Sequence, residues 1–197
     1  MKILCFGDSN TYGYDPRSFF GSQYPPQHRW VDLLADKLGC NAVNAGENGR
    51  EIPGREGELL RFDRMLANQT PVDLLIIMLG GNDLLQGNVV NDVVNRMESF
   101  IQHIALDKPK ILLIGPPPMQ LGAWVPAQSL IDASVALNHE YKALSQRLGV
   151  GFADAGEWNI SLTFDGVHFT EEGHRAFADG LYQAITEKGH THVFSYP

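Results

Sequence analysis

Hydrophobic residues along the chain follow two patterns, short apolar runs and longer stretches in which apolar residues recur at helical spacing. The apolar runs predict five β-strands, at 2–6, 40–45, 72–79, 110–114 and 150–153. The run from Val72 to Leu79 is almost continuously apolar. Such a run is typical of a central parallel strand with helices covering both faces of the sheet.

A stretch with helical spacing follows each of these runs. The predicted helices lie at 30–38, 57–68, 89–106, 130–148 and from 170 onward. The repeated order of strand and helix predicts an α/β protein, a three-layer α/β/α sandwich around a parallel sheet. We expect a single domain over residues 1–188, followed by a C-terminal tail, 189–197, that shows no periodicity.

Composition and charge exclude several classes of function. The chain has 197 residues, an apolar fraction of 44% and a net charge of −8. An acidic chain lacks the clustered Lys and Arg of a nucleic-acid interface, so we expect no nucleic-acid partner. No apolar run reaches the roughly 18 residues of a membrane span. Met1 and Lys2 lead directly into the first strand without a signal-peptide pattern, and we therefore expect a cytoplasmic protein.

Polar residues and glycines follow several of the predicted strands. Ser9 follows the first strand, Gly46 the second and Asn82 the third, while Asp165 and His168 lie in the long loop after the fifth. The carboxyl ends of parallel strands meet at one edge of a sheet, which is where such sheets bind ligands. The sequence therefore predicts that these residues converge on one site.

These residue types suit nucleophilic catalysis. Ser9 is the candidate nucleophile, His168 the base that accepts its proton, and Asp165 the acid that orients the imidazole. The negative oxygen of a tetrahedral intermediate needs hydrogen-bond donors. The backbone N–H groups of Ser9 and Gly46 and the side-chain amide of Asn82 are the candidates.

The motifs together resemble the four sequence blocks of the SGNH, or GDSL-type, hydrolases. The blocks are Gly7-Asp8-Ser9-Asn10, Gly46, Gly80-x-Asn82-Asp83 and Asp165-x-x-His168. The resemblance implies a flavodoxin-like, five-stranded sheet in the order 2-1-3-4-5 and esterase, lipase or thioesterase activity without a metal or organic cofactor. It assigns a Ser9–His168–Asp165 triad and an oxyanion hole formed by Ser9, Gly46 and Asn82. The family includes monomers and larger assemblies, so a homo-oligomer stays open.

Local details resemble the arylesterase and small-ester branch of that family. They are Arg29-Trp30, Asn48-Gly49-Arg50 and Pro71-x-Asp73. The chain departs from the family pattern at Asn10, where the family name has leucine. It also departs at Asn48, where many members carry serine.

The expected substrate is a small-molecule ester with a short acyl chain, because no long apolar lid is evident. The residues expected to line its pocket are Leu84, Leu85, Trp124, Trp158 and Phe164. Arg17, Arg50 and Arg55 are candidates for contacting an anionic group. Alternatives on the same site are an acyl-CoA thioesterase, a lysophospholipase and a carbohydrate O-acetylesterase. A non-catalytic flavodoxin-like module that binds FMN is a more distant alternative.

Overall fold

The computed structural model describes residues 1–18 and 22–187, so the expected tail, 189–197, lies outside the described residues. One parallel sheet forms the centre of this part of the chain. Its strands are β1 Lys2–Gly7, β2 Asn41–Gly46, β3 Leu74–Met78, β4 Ile111–Gly115 and β5 Gly151–Asp154. Each lies within one or two residues of its predicted position.

The strand order is β2-β1-β3-β4-β5, which confirms the predicted fold class. Gly7 at the end of β1 is paired with Gly46 of β2 and with Met78 of β3. The carboxyl ends of these three strands are therefore level. The segments that follow them begin side by side at one edge of the sheet.

Helices cover both faces of the sheet. The five long ones are α2 Trp30–Leu38, α3 Glu56–Gln69, α5 Val90–His103, α6 Gln128–Leu148 and α7 Glu171–Glu187. Helices α3, α5 and α6 pack on the face formed by Leu4, Phe6 and alternate residues of the other strands. Helices α2 and α7 pack on the opposite face, with Ile3 and Cys5. Because successive side chains of a strand point to opposite faces, one apolar run supplies both cores.

Two short helices follow the strand ends and have no counterpart in the sequence prediction. They are α1, Ser9–Tyr12, directly after β1, and α4, Gly81–Leu85, directly after β3. Each begins at the site edge of the sheet and carries one of the predicted site residues, Ser9 or Asn82. Among the described residues, no helix is long and apolar enough to cross a membrane.

Candidate active site

The turn after β1 presents the Ser9 side chain at the edge of the sheet. Asp8 caps α1, because its carboxylate accepts a hydrogen bond from the Asn10 N–H at 3.0 Å. This cap fixes the start of the helix at Ser9 and leaves the Ser9 N–H in the first turn of the helix, where a backbone N–H has no partner within the helix.

The structure brings Ser9, His168 and Asp165 into one hydrogen-bonded chain. His168 Nε2 lies 3.0 Å from Ser9 Oγ, and His168 Nδ1 lies 2.7 Å from Asp165 Oδ2. All three side chains are buried. The two contacts join residues that are 159 and 3 positions apart in the sequence.

The environment of Asp165 keeps its carboxylate ionised. Burial raises the pKa of this carboxyl, but hydrogen bonds from the His168 ring and from the backbone N–H groups of His168 and Val167 outweigh burial and lower the pKa to about 2. An ionised carboxylate only accepts hydrogen bonds, so His168 donates through Nδ1. In the neutral ring, Nε2 is then the acceptor that faces the Ser9 hydroxyl.

Two aromatic rings flank His168. The ring of Tyr14 lies 4.8 Å and that of Trp124 lies 4.9 Å from the His168 ring, measured between centroids. The Trp124 backbone N–H also donates to the Asp165 carbonyl at 3.0 Å. The rings restrict rotation of the imidazole, and the half-exposed Trp124 forms part of the rim of the site.

Asn82 is placed to donate a hydrogen bond into the site. One N–H of its side-chain amide donates to the Arg50 carbonyl at 3.0 Å, which fixes the orientation of the amide. The amide carries a second N–H, and Asn82 lines the cavity beside Ser9.

The structure places the Gly46 N–H differently from the sequence expectation. This N–H donates to Asn44 Oδ1 at 2.9 Å and is therefore already occupied. The glycine has a packing role instead, because a Cβ at this position would lie 2.0 Å from the backbone nitrogen of Tyr12. Gly49 has a positive φ of 73° and open space beside its Cα, and it directly precedes the Arg50 carbonyl that holds Asn82.

A cavity of about 30 Å³ lies beside Ser9. By the same measure, a single water molecule needs roughly 10–15 Å³, so the cavity holds a group of only a few heavy atoms. Its apolar lining includes Leu84, Met119, Leu137 and the Pro116-Pro117 turn. Leu84 thus lies where the sequence placed it.

Four other expected pocket residues lie outside this lining, as far as the described residues show. Trp158 packs against Phe177 and over Gly180, on the face of the sheet that carries α7. Leu85 packs against the opposite core. Phe164 is 69% exposed and Trp124 is 51% exposed at the rim. The sequence showed that these residues lie near strand ends, but it did not show which way their side chains point.

Two arginines support the site and were not assigned this role from the sequence. The Arg50 guanidinium donates to the carbonyls of Gly7 and Ala45, at the ends of β1 and β2. Arg96 pairs with the fully buried Asp83 at 2.7 Å, and Asp83 in turn accepts from the Ile52 N–H. These contacts hold the turns that carry Ser9 and Asn82.

The buried carboxyl of Asp8 predicts a measurable dependence of stability on pH. Burial raises the pKa of Asp8 to about 6, despite the Asn10 hydrogen bond and the nearby His168 and Arg50. The unfolded chain ionises this group near pH 4, so folding becomes less favourable as pH rises from there through 6. Asp8→Asn keeps an acceptor for the Asn10 N–H and should raise the free energy of unfolding by roughly 1–3 kcal/mol at pH 8.

Urea denaturation at pH 5 and pH 8 measures this effect. The gain of Asp8→Asn over the wild type should be smaller at pH 5, where much of the folded protein already has a neutral Asp8. An equal gain in the free energy of unfolding at both pH values, or a loss at pH 8, would contradict the raised pKa of Asp8.

Within residues 1–18 and 22–187, no group of three or more His, Cys, Asp or Glu side chains could hold a metal ion.

Known proteins share both the sequence pattern and the fold. A family model described as the GDSL-like lipase/acylhydrolase family matches residues 5–176. A proposed arylesterase from Agrobacterium tumefaciens strain C58 is similar at 30% identity and a TM-score of 0.82, covering 94% of this chain and 98% of that one. No curated protein sequence matches the chain.

Two further structures are similar over the same extent. The aryl esterase of M. smegmatis has 27% identity and a TM-score of 0.78, with 94% of this chain and 98% of that chain covered. A carbohydrate acetylesterase family member from Sinorhizobium meliloti has 26% identity and a TM-score of 0.80, with 94% and 97% covered.

Proposed function

The chain belongs to the GDSL-like lipase/acylhydrolase family and is a carboxylic ester hydrolase, and we propose that it cleaves short-chain acyl or aryl esters through an acyl-enzyme on Ser9. The observation that carries this proposal is the hydrogen-bonded chain from Ser9 through His168 to Asp165 beside a small cavity. The alternative of an FMN-binding module would give these three side chains no role.

The chemistry has two stages. Ser9 Oγ attacks the carbonyl carbon of the ester while His168 Nε2 accepts the hydroxyl proton, and the carbonyl oxygen becomes an oxyanion. When the intermediate collapses, His168 gives that proton to the leaving alcohol oxygen and the acyl group stays on Ser9. Water then attacks the acyl-enzyme with His168 again as base, which releases the acid and restores Ser9.

Asp165 makes both stages efficient. Its ionised carboxylate holds Nδ1–H of His168 and stabilises the imidazolium that forms when the ring takes the serine proton. The low pKa of this carboxyl keeps it charged throughout the neutral range.

We assign stabilisation of the oxyanion to the second amide N–H of Asn82 and to the backbone N–H of Ser9. The third donor expected from the sequence was Gly46, whose N–H is occupied by Asn44.

The size of the cavity favours a short acyl group. A cavity of about 30 Å³ suits a small acyl group better than the long chain of a lysophospholipid. The leaving alcohol lies on the solvent side of His168, against Trp124. Aryl and sugar alcohols can both pack against an exposed aromatic ring. Aryl esters and acetylated carbohydrates therefore both fit the site when their acyl group is short.

The charges around the site do not favour an acyl-CoA thioesterase, which must bind the phosphates of CoA. Arg50 donates to the Gly7 carbonyl and pairs with Glu47. Arg17 pairs with Asp15 and with Glu171 at 2.9 Å. These guanidinium groups already have partners, which lowers their value for phosphate recognition.

The dependence of the rate on acyl-chain length tests the proposed substrate class. We expect kcat/KM to be highest for p-nitrophenyl esters of two to four carbons and at least about tenfold lower for the octanoate, because extra methylene groups overfill the cavity. The measurement is a series of p-nitrophenyl esters from acetate to palmitate.

A matched pair of methionine variants sharpens this test. The Met119 side chain lines the cavity, and its methyl group lies near Gly81. Met119→Ala should therefore raise the ratio of octanoate to acetate activity, while Met65→Ala, on α3, should leave the ratio unchanged. A wild-type maximum at long chains would contradict the proposed substrate class.

A further inference from the structure

The Asn10 side chain joins the turn that carries Ser9 to the loop that carries His168. Its Nδ2 donates to the Val167 carbonyl at 3.1 Å, and its Oδ1 accepts from the Phe169 N–H at 2.9 Å. We propose that Asn10 is a positioning residue that sets the distance between Ser9 and His168. This inference rests on the roles proposed above for those two residues.

The two hydrogen bonds enclose His168 from both sides along the backbone. One goes to the residue before it and the other to the residue after it. The amide can be oriented in only one way, since the reverse would place two donors together at Phe169 and two acceptors together at Val167. Asn10 is also the residue directly after Ser9. The connection from Ser9 to the loop that carries His168 therefore runs through a single side chain.

Asn10 is itself held firmly. Its backbone N–H donates to Asp8, and its backbone carbonyl accepts from the indole N–H of Trp30 at 3.0 Å. Only 9% of the residue is exposed, so water does not compete strongly for the amide. The backbone of Asn10 is therefore held in place, and its side chain connects the Ser9 turn to the His168 loop.

Apart from the contact between its Nε2 and Ser9 Oγ, the other hydrogen bonds at His168 lie within its own loop. Asp165 Oδ1 accepts from the backbone N–H groups of Val167 and His168, and the Thr163 N–H donates to the His168 carbonyl at 2.8 Å. These contacts fix the shape of the loop and its imidazole, but they do not fix the loop relative to Ser9. The Asn10 amide supplies that connection.

Leucine is the residue that the family name has at this place, and it provides the sharpest substitution. A leucine side chain has the same number and branching of heavy atoms but neither donates nor accepts, so Asn10→Leu leaves the Phe169 N–H and the Val167 carbonyl without these partners. A displacement of about 1 Å between reacting groups can lower a rate roughly 100-fold. Because Asn10 positions the base, we expect kcat to fall and KM to change little.

The experiment compares three variants with the wild type at pH 8 and at a temperature well below unfolding. Hydrolysis of p-nitrophenyl acetate gives kcat and KM, and reaction with a p-nitrophenyl phosphonate gives the rate of covalent modification. The matched control is Thr11→Val, because Thr11 is buried in the same turn and its hydroxyl has no hydrogen-bond partner among the described residues.

For Asn10→Leu we expect kcat and the modification rate to fall about 10- to 100-fold together, with KM within about threefold of the wild type. Asn10→Asp keeps the acceptor for the Phe169 N–H but, when ionised, opposes the Val167 carbonyl, so its rates should lie between those of the wild type and Asn10→Leu. A purely structural role would lower the melting temperature and leave both rates unchanged.

Wild-type rates in Asn10→Leu would overturn the positioning role. If Asn10→Leu does not fold, wild-type rates in Asn10→Asp would overturn the positioning role instead. Failure of the proposed function gives a different result. In that case the phosphonate leaves Ser9 of the wild-type protein unmodified, whatever the rates of the Asn10 variants.

Discussion

Replacing Ser9 with alanine should lower kcat/KM for p-nitrophenyl acetate by roughly 10⁴-fold or more, to a residual rate that comes from binding and oxyanion stabilisation. In the proposed mechanism, the hydroxyl oxygen is the atom that bonds to the substrate, and alanine has no atom in its place. Among residues 1–18 and 22–187, the Ser9 hydroxyl has one hydrogen bond, to His168, so its removal should leave the fold intact. Steady-state kinetics and circular dichroism on the purified variant make the measurement.

A second buried serine provides the control for Ser9→Ala. Ser145 is 2% exposed on α6, and its hydroxyl donates to the Lys142 carbonyl at 2.8 Å. Ser145→Ala removes a buried hydroxyl away from the cavity and should retain the wild-type rate. Full activity in Ser9→Ala would rule out Ser9 as the nucleophile.

Asp165→Asn should lower kcat by about 10³- to 10⁴-fold while the protein stays folded. The variant keeps Oδ1 as the acceptor for the backbone N–H groups of Val167 and His168. Its Nδ2, however, faces His168 Nδ1 and donates to it. The ring must then carry its proton on Nε2, where it donates to Ser9 and can no longer accept the serine proton.

The pH profile tests whether the loss of activity in Asp165→Asn depends on a group that titrates in the assay range. The low pKa of Asp165, about 2, means that the wild-type carboxylate does not titrate in the range of the assay. We therefore expect the deficit of Asp165→Asn to persist at every pH from 6 to 9. The control is Asp107→Asn, an aspartate whose side chain is 80% exposed. A deficit that disappears at high pH would contradict the assigned role.

The fold was predictable from the sequence because buried parallel strands are continuous apolar runs. The run around Ile76 and Ile77 and the amphipathic stripe of α5 located their elements directly. The strand order came from the family resemblance. Helices α1 and α4 were missed because four or five residues are too few to show a helical period.

The sequence indicated which residues lie together in the site. It did not indicate which of their hydrogen-bonding atoms are available to a substrate. The structure brings Ser9, Asp165 and His168 together, as expected for a residue just after β1 and two residues in the long loop after β5. The sequence could not show that Asn44 occupies the Gly46 N–H, since this contact depends on side-chain orientation within β2. For the same reason it could not show that Trp158 faces α7 while Leu84 faces the cavity.

Identification of the residue that bonds to the substrate tests the proposed mechanism most directly. Wild-type protein is treated with a p-nitrophenyl phosphonate, digested and analysed by tandem mass spectrometry, with Ser9→Ala treated in parallel. We predict one adduct, on Ser9, that forms as activity is lost and does not form in Ser9→Ala. An inactivated protein whose adduct lies on another residue would contradict the assignment of Ser9 as the nucleophile.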